Sequence, residues 1–235
     1  MTLEEYTARL REAYDLVCVL SRKNGCEVFR LRHRELGRDL VLRRFSAPVP
    51  AYDILCAVRC ENLPLIYDAV SCEDGMAVLE EYIDGLTVTQ VMESGRYRPA
   101  GARQVMSGVC RALQVLHERG LVHRDVKPDN VMIARGGRVV LIDLNASRKV
   151  SDATRDTVIL GTVGYASPEQ MGIAQSDART DIYAAGVLLN VMVTGRHPSE
   201  VMAKGRIGRI VRKCTSVNPA DRYASAGKLE EALGW

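Results

Sequence analysis

Short runs in which apolar and polar residues alternate fill the first part of the chain and predict a small β-sheet. Such runs cover Tyr14–Leu20, Glu27–Arg32 and Asp39–Phe45, and turn signals separate them. Two further strands are expected at Pro64–Ser71 and Met76–Tyr82.

Helical spacing replaces this pattern after residue 85. One short helix of about two turns is expected earlier, at Tyr52–Val58. Two short strands, Val131–Ile133 and Val139–Ile142, interrupt the later region. Its helices are expected at Ala102–Arg119, Asp181–Thr194, Ile207–Cys214 and Ser225–Leu233. The pattern predicts a strand-rich part and a larger helical part, with a ligand cleft between them.

Composition excludes several classes of protein. The 235 residues are 47% hydrophobic, and a net charge of +3 without a basic stripe gives no indication of nucleic-acid binding. The densest basic stretch, Arg30–Arg44, is interpreted as the solvated face of a hairpin. The seven cysteines include no CxxC pair, so we expect reduced thiols and no zinc site. Met1–Arg11 lacks a signal core and Ile182–Gly195 is too short for a membrane span, so a cytoplasmic protein is expected.

The segment His123–Asn130, HRDVKPDN, carries the groups that phosphoryl transfer requires. That reaction needs a carboxylate beside the attacking hydroxyl, a cation near the transferred phosphate and an oxygen ligand for a metal ion. Asp125, Lys127 and Asn130 supply these groups at fixed spacing. The segment resembles the H-R-D-L-x-x-x-N catalytic loop of protein kinases, with Val126 in place of Leu.

A second motif begins at Asp143, directly after the apolar strand Val139–Ile142. Its sequence Asp-Leu-Asn resembles the kinase Asp-Phe-Gly, whose Asp chelates Mg²⁺. Leu144 can replace Phe as an apolar anchor, and Asn145 tolerates positive φ better than most non-glycine residues. The resemblance implies that Asn130 and Asp143 are the metal ligands.

A third motif, GTVGYASPE at 161–169, resembles the end of a kinase activation segment, with Ser-Pro-Glu in place of Ala-Pro-Glu. In such segments the Glu pairs with an Arg of the helical part, which here implies the pair Glu169–Arg222. The resemblance also implies that Thr162 contacts the catalytic Asp and Lys. Asp181 is expected to hold the backbone of the catalytic loop.

The three motifs together identify a family. Lys127 and the Gly-Thr-x-Gly-Tyr sequence resemble the serine/threonine branch, and the similarity to Hanks-type protein kinases, most of all bacterial members, extends over Tyr14–Leu233. The resemblance implies an α+β, bilobal fold, with a small, mostly antiparallel β lobe that has a shortened helix, and a larger helical lobe. The expected boundaries within a single domain at 1–235 are an N-lobe at about 1–82, a hinge at 83–86 and a C-lobe at 87–235.

The resemblance also implies the reactants. ATP with Mg²⁺ or Mn²⁺ would phosphorylate Ser or Thr of a protein substrate, with no nucleic acid and no membrane span involved. The oligomeric state stays open. Phosphorylation of the activation segment could order the catalytic loop through Arg124, and Ser151, Thr154 and Thr157 are the candidates.

The glycine-rich loop departs from the family pattern. Anchored on Val28, its three glycine positions hold Ser21, Lys23 and Cys26, with Gly25 adjacent. Glycine allows the backbone to approach phosphates closely, so phosphate binding is expected to be looser. Two interpretations of Lys23 remain: it supplies a compensating charge, or it points into solvent.

The lysine that the family carries on its third strand is also replaced. Arg43 occupies the position of the lysine that holds the nucleotide phosphates, and Ala51 that of its helical Glu partner. Glu81 and Tyr82 correspond to the hinge, where the backbone at Glu81 would bind adenine. Glu80 falls at the usually apolar gatekeeper position, where a buried charge needs a partner. We therefore hypothesise an Arg43–Glu80 ion pair; the alternative is that Glu80 reaches solvent.

Three functions compete at this point. An active serine/threonine kinase is favoured because the residues that perform the chemistry are present. A pseudokinase that binds partners or nucleotide without turnover is indicated by the altered glycine loop and strand cation. A small-molecule phosphotransferase rests on analogy of fold alone.

Overall fold

The structure is a computed structural model, and its residues form two compact units. It describes residues 1–23, 25–149, 164–171 and 177–234. Unit 1 comprises Met1–Cys60 and Pro64–Ile83, and unit 2 comprises Glu61–Leu63 and Asp84–Trp235.

Unit 1 is built on a five-stranded antiparallel sheet with the order β1-β2-β3-β5-β4. The five strands expected from alternation are confirmed, with shifts of a few residues at their ends. Gly25 adopts a positive φ of 72° at the turn between the first two strands, a conformation that favours glycine. The strands are β1 (Tyr14–Lys23), β2 (Cys26–His33), β3 (Asp39–Phe45), β4 (Ile66–Cys72) and β5 (Gly75–Glu81).

An N-terminal helix, α1 (Leu3–Leu10), covers one face of this sheet. Thr2 and Glu5 form a capping box that satisfies free amide hydrogens of its first turn. Leu3 and Tyr6 then pack against apolar side chains of β2, β3 and β5. The helix was not expected from the sequence, because its short apolar stripe only becomes informative once the sheet face that it covers is known.

The side chains of β3 alternate between the two faces of the sheet. Leu40 and Leu42 join the core beneath α1, whereas Arg43 projects from the opposite face and is buried. Arg44 returns to the α1 face, where 22% of its side chain is exposed. The interpretation of Arg30–Arg44 as a solvated hairpin face is therefore wrong for Arg43, because only 7% of this residue is exposed.

The expected short helix is present as α2 (Pro50–Leu55). It begins earlier than predicted because Pro50 fits the first helical turn, where no amide hydrogen bond is required. Ala51, Tyr52 and Leu55 are buried. The helix therefore presents a small apolar residue, and no carboxylate, at the position expected for the helical Glu.

Unit 2 is mainly helical, as the spacing of apolar residues predicted. Pro99 opens its longest helix, and Gly195 ends another with a left-handed cap at φ 71°. Apolar residues along both helices are fully buried. The elements are β6 (Gly85–Thr87), α3 (Val88–Glu93), α4 (Pro99–His117), β7 (Leu121–Val122), β8 (Val131–Ala134), β9 (Val139–Leu141), β10 (Arg148–Lys149), α5 (Ala178–Thr194), α6 (Gly205–Cys214) and α7 (Ala226–Leu233).

The two units together confirm the α+β class. Short 3-10 turns at Pro128–Asn130, Leu144–Ala146, Pro168–Met171 and Pro219–Asp221 connect elements of unit 2. Across the described ranges, none of the helices combines the length and the apolar character that crossing a bilayer would demand.

Candidate active site

The first group of candidate residues is a buried ion pair within unit 1. Nε of Arg43 donates a hydrogen bond of 2.6 Å to Oε1 of Glu80. Both side chains are almost fully buried, with 8% and 5% of their surface exposed. This contact matches the pair expected from the sequence, and the alternative in which Glu80 reaches solvent is wrong.

Strand register explains the pair. In the ladder between β3 and β5, Arg43 lies opposite Val78, and Val41 lies opposite Glu80. Arg43 and Glu80 are therefore diagonal neighbours on one face of the sheet, within reach of long side chains. Both residues lie on hydrogen-bonded strands, so the sheet fixes the positions from which their side chains meet.

The glycine-loop positions lie in the β1–β2 hairpin. Cys26 and Val28 project from the same face of β2, with Val28 opposite Arg43 in the neighbouring strand. Cys26 is buried, Ser21 is half-buried and Lys23 is exposed. Gly25 allows a close approach to Ser46, because a Cβ there would lie 2.5 Å from the Ser46 hydroxyl. Glycine is therefore needed at position 25 for the geometry of the hairpin.

The expected hinge residues Glu81 and Tyr82 are tied into unit 1. The amide of Glu81 donates to the carbonyl of Leu65, and its carboxylate accepts from the Leu65 amide. The amide hydrogen of Glu81 is therefore already used within the protein. The ring of Tyr82 lies 4.3 Å from the guanidinium carbon of Arg30, a cation–π contact.

The second group of candidate residues is a polar cluster in unit 2. Nζ of Lys127 lies 2.7 Å from Oδ2 of Asp125. The Asn130 side-chain amide donates to the same carboxylate oxygen over 2.9 Å and to the Asp125 carbonyl over 2.8 Å. With 15% of its side chain exposed, the Asp125 carboxylate is oriented by two donors and still accessible.

Asp143 lies next to this cluster through main-chain pairing. The amide of Ile142 donates to the carbonyl of Asn130 over 2.8 Å, where β9 runs alongside β8. Asp143 adopts a left-handed backbone with φ 68°, which costs energy for a non-glycine residue and is typical of functional sites. Asn145 was expected to take the positive φ; it lies instead in a 3-10 turn whose buried Leu144 anchors the motif.

Asp181 holds the backbone of the catalytic loop. Its two carboxylate oxygens accept hydrogen bonds of 2.8 Å from the amides of His123 and Arg124. Burial raises the pKa of this fully buried carboxyl, but the hydrogen bond from His117 and the loop contacts outweigh it and lower the pKa overall. Arg124 is the other described non-glycine residue with positive φ, at 70°. The Asp181 carboxylate thus holds two amides of a loop that contains a residue with positive φ.

The pair Glu169–Arg222 lies at the end of the third motif. Two hydrogen bonds of 2.5 and 2.9 Å join the guanidinium to the carboxylate, and both side chains are buried. Burial raises the pKa of Glu169, yet the bonds from Arg222 lower it overall. Thr180 also donates to Glu169, which ties the segment to the first turn of α5.

Other expected residues cannot be placed. Ser151, Thr154, Thr157 and Thr162 lie outside the described residues. Conversely, two side chains with supporting roles were missed. His117 bonds Asp181 over 2.8 Å, and Gln170 donates to the carbonyl of Arg124. The position of His117 in the last turn of an amphipathic helix, shortly before the loop, was the available signal.

The donor set around Asn130 and Asp143 fits a hard divalent cation. Because the Asn130 amide nitrogen is directed at Asp125, its oxygen is the remaining side-chain ligand. One amide oxygen and one carboxylate match the preference of Mg²⁺ for a few protein oxygens, with water and phosphate completing its shell. Within the described part of the chain, no cluster of three His, Cys, Asp or Glu residues offers an alternative metal site.

Comparison with known proteins agrees with this geometry. The family model described as a protein kinase domain matches residues 51–229. The chain belongs to the protein kinase family. The match includes Asp125, Lys127, Asn130 and Asp143 of unit 2, whereas β1, β2 and β3 precede its first residue.

Individual relatives of this kinase domain are bacterial. A probable serine/threonine-protein kinase of Corynebacterium efficiens is 42% identical over 95% of the chain, and one of Streptomyces coelicolor is 31% identical over 83%. PknB of Mycobacterium tuberculosis is 30% identical over 96%. The chain spans 32–43% of the length of these relatives. The kinase domain of M. tuberculosis PknI has the same fold, with a TM-score of 0.71, 21% identity and coverage of 94% and 95% of the two chains.

Proposed function

We propose that this chain is the catalytic domain of a serine/threonine protein kinase that transfers the γ-phosphoryl group of ATP to protein hydroxyls. Units 1 and 2 would be the small and large lobes of one kinase domain. The observation that carries the proposal is the cluster of Asp125, Lys127 and Asn130 on a loop fixed by Asp181. Kinase catalysis consists largely of such positioning and charge stabilisation.

Each residue of unit 2 has a defined part in the proposed reaction. Asp125 accepts the proton of the substrate hydroxyl and orients its oxygen toward the phosphorus. Lys127 places positive charge beside the phosphoryl oxygens. Asn130 and Asp143 would hold Mg²⁺, which neutralises phosphate charge when it is bound. The relatives are named serine/threonine-protein kinases, which supports serine or threonine as the acceptor.

Unit 1 would hold the nucleotide phosphates through Arg43. Its guanidinium is always charged and can form several hydrogen bonds to phosphate oxygens, while Glu80 fixes its orientation. Val28 on the neighbouring strand would contact the base or ribose. Ser21, Lys23 and Cys26 replace the usual glycines around the phosphates, so we expect weaker binding of nucleotide than in kinases with a full glycine loop.

The decisive experiment is incubation with radiolabelled ATP and either Mg²⁺ or Mn²⁺, with the chain itself and a generic basic protein as acceptors. Wild-type protein should transfer label to Ser and Thr, and Asp125→Ala should not. Nucleotide binding by calorimetry without any transfer would instead indicate a pseudokinase, for which the altered β1–β2 hairpin is the specific argument. Transfer to a small molecule but to no protein would indicate the third function.

A further inference from the structure

A groove lies on the face of the unit 1 sheet opposite to the one that carries Arg43. It is formed between the end of α1 and the outer parts of β1, β2 and β3, and it has a volume of about 220 Å³. Its apolar floor is formed by Leu10, Leu16, Phe29, Leu31 and Leu42. None of the candidate active-site residues that the structure describes lines it.

The apolar surface continues out of the groove along β1. Register with β2 places Leu16 opposite Leu31 and Val19 opposite Phe29, so these side chains share the groove face. Leu16 is 60% exposed and Val19 is 44% exposed. An apolar cavity continuous with exposed leucine and valine is typical of a surface that binds a partner.

Positive charge surrounds this apolar surface. Arg11, Arg22 and Arg44 line the groove, and Glu27 is the single carboxylate among its lining residues. Glu27 lies 3.1 Å from Arg22 and 3.9 Å from Arg44, so one carboxylate is shared by two guanidinium groups. Three cations and one anion leave a local charge of +2.

Arg44 has an unsatisfied donor at this site. Its Nε is buried and has no hydrogen-bond partner among the described residues. The charge that a ligand can neutralise comes from the excess of guanidinium groups over carboxylates among the lining residues. The groove therefore calls for a ligand with apolar groups and hydrogen-bond acceptors that carry negative charge.

We propose that this groove, lined by Leu16, Arg22 and Arg44, binds an acidic peptide segment of a partner protein through apolar side chains flanked by carboxylates. The volume suits one or two side chains and is below the several hundred Å³ of a typical small-molecule site. A second copy fits poorly, because two such faces would bring six arginines together with two glutamates. Two β-bulges interrupt β1 and disfavour strand addition, so docking uses side chains.

The test is fluorescence anisotropy with short labelled peptides in which glutamate alternates with leucine or phenylalanine. Two companion peptides replace every glutamate by lysine, or every apolar residue by serine. The glutamate peptides should bind and both companions should bind at least about tenfold more weakly, since both charge and apolar contact contribute. Binding should weaken as salt is raised.

Variants at exposed positions locate the site without disturbing the fold. Leu16→Asp and Arg22→Glu should each weaken peptide binding by about tenfold or more. Leu36→Asp and Arg38→Glu are matched controls, because both residues are exposed in the β2–β3 turn and neither lines the groove, with Leu36 66% exposed. Equal loss in the control variants, or no binding of any glutamate peptide, would overturn the proposal.

Light scattering distinguishes the remaining occupants. A wild-type dimer that Leu16→Asp converts to a monomer would show that a second copy covers this face, and would also overturn the proposal. Saturable binding of a simple fatty-acid anion that Leu16→Asp abolishes, with no binding of any glutamate peptide, would do the same. Nucleotide binding and phosphoryl transfer are expected to be unchanged in Leu16→Asp, so this test is independent of the proposed activity.

Discussion

The two units of this kinase domain preserve the family pattern to different degrees. Unit 2 keeps the residues expected at the reacting phosphoryl group, and its supporting contacts are present. Unit 1 keeps the sheet but replaces the lysine, its helical Glu partner and the glycines. The family model begins at residue 51, after β3, in agreement with this contrast.

The difference follows from what each group has to do. A carboxylate that accepts a proton and an oxygen ligand for a metal have few chemical substitutes, and they must be placed within a fraction of an ångström. A cation that binds phosphates can be a lysine or an arginine, provided that a partner orients it. Arg43 obtains that partner from Glu80 on an adjacent strand, so the α2 helix is free to be short.

The largest effect is expected in the catalytic loop of unit 2. Asp125→Asn should lower the rate of phosphoryl transfer by about 10³-fold, because the amide cannot accept the substrate proton. Nucleotide affinity should stay close to the wild-type value. Rates from single-turnover assays and affinities from calorimetry check both statements. Asp129→Asn, an exposed change in the same loop, serves as the control and should remain active.

The next effect compares the buried ion pairs of the two units. Glu80→Gln leaves Arg43 buried with a neutral partner, and Glu169→Gln does the same to Arg222. Each should lower the free energy of unfolding by about 3 kcal/mol in denaturant titrations. A loss below about 1 kcal/mol for Glu80→Gln would mean that the unit 1 pair is solvated, and the contrast between the units would need revision.

A double change separates stability from nucleotide binding in unit 1. Arg43→Met combined with Glu80→Leu replaces the pair by apolar residues, and such replacements are often neutral or stabilising. The double variant should therefore unfold like wild type and yet lose most of its ATP affinity. Unchanged ATP affinity would remove Arg43 from the proposed phosphate site.

A smaller effect is expected from restoring the family lysine. Arg43→Lys keeps the charge and can still pair with Glu80, but it loses the planar fork of the guanidinium. We expect the KM for ATP to change by about fivefold or less, which corresponds to roughly 1 kcal/mol. The measurement is steady-state kinetics at saturating protein substrate. A complete loss of activity would show that the pocket has adapted to arginine alone.

The smallest effect is a pH dependence at the edge of unit 1. Hydrogen bonds from Arg32 and then Arg30 lower the pKa of Asp39 to about 2 against the cost of burial. A carboxylate whose pKa is lowered by folding stabilises the protein above its usual pKa and loses that contribution as the pH falls toward 2. Asp39→Asn should lower Tm by about 2 °C near pH 6. This difference should shrink on acidification through pH 4, and a constant difference would contradict the assignment.

Sequence patterns located most elements of both units and the candidate catalytic residues of unit 2. Alternation and helical spacing located the strands and main helices because these periodicities record which face is buried. The fixed spacing of Asp125, Lys127, Asn130 and Asp143 identified the proposed reaction, since groups on one loop and the next strand stay neighbours in any arrangement of the rest.

Only the tertiary structure decided which residues replace missing ones. It placed Glu80 beside Arg43 through strand register, moved the positive φ to Asp143, and added His117 to the support of Asp181. It also revealed that α1 covers part of the sheet and that a groove lined by Arg11, Arg22 and Arg44 lies beside it. These contacts join residues far apart in the chain, and their energies depend on burial and direction, which a linear pattern does not contain.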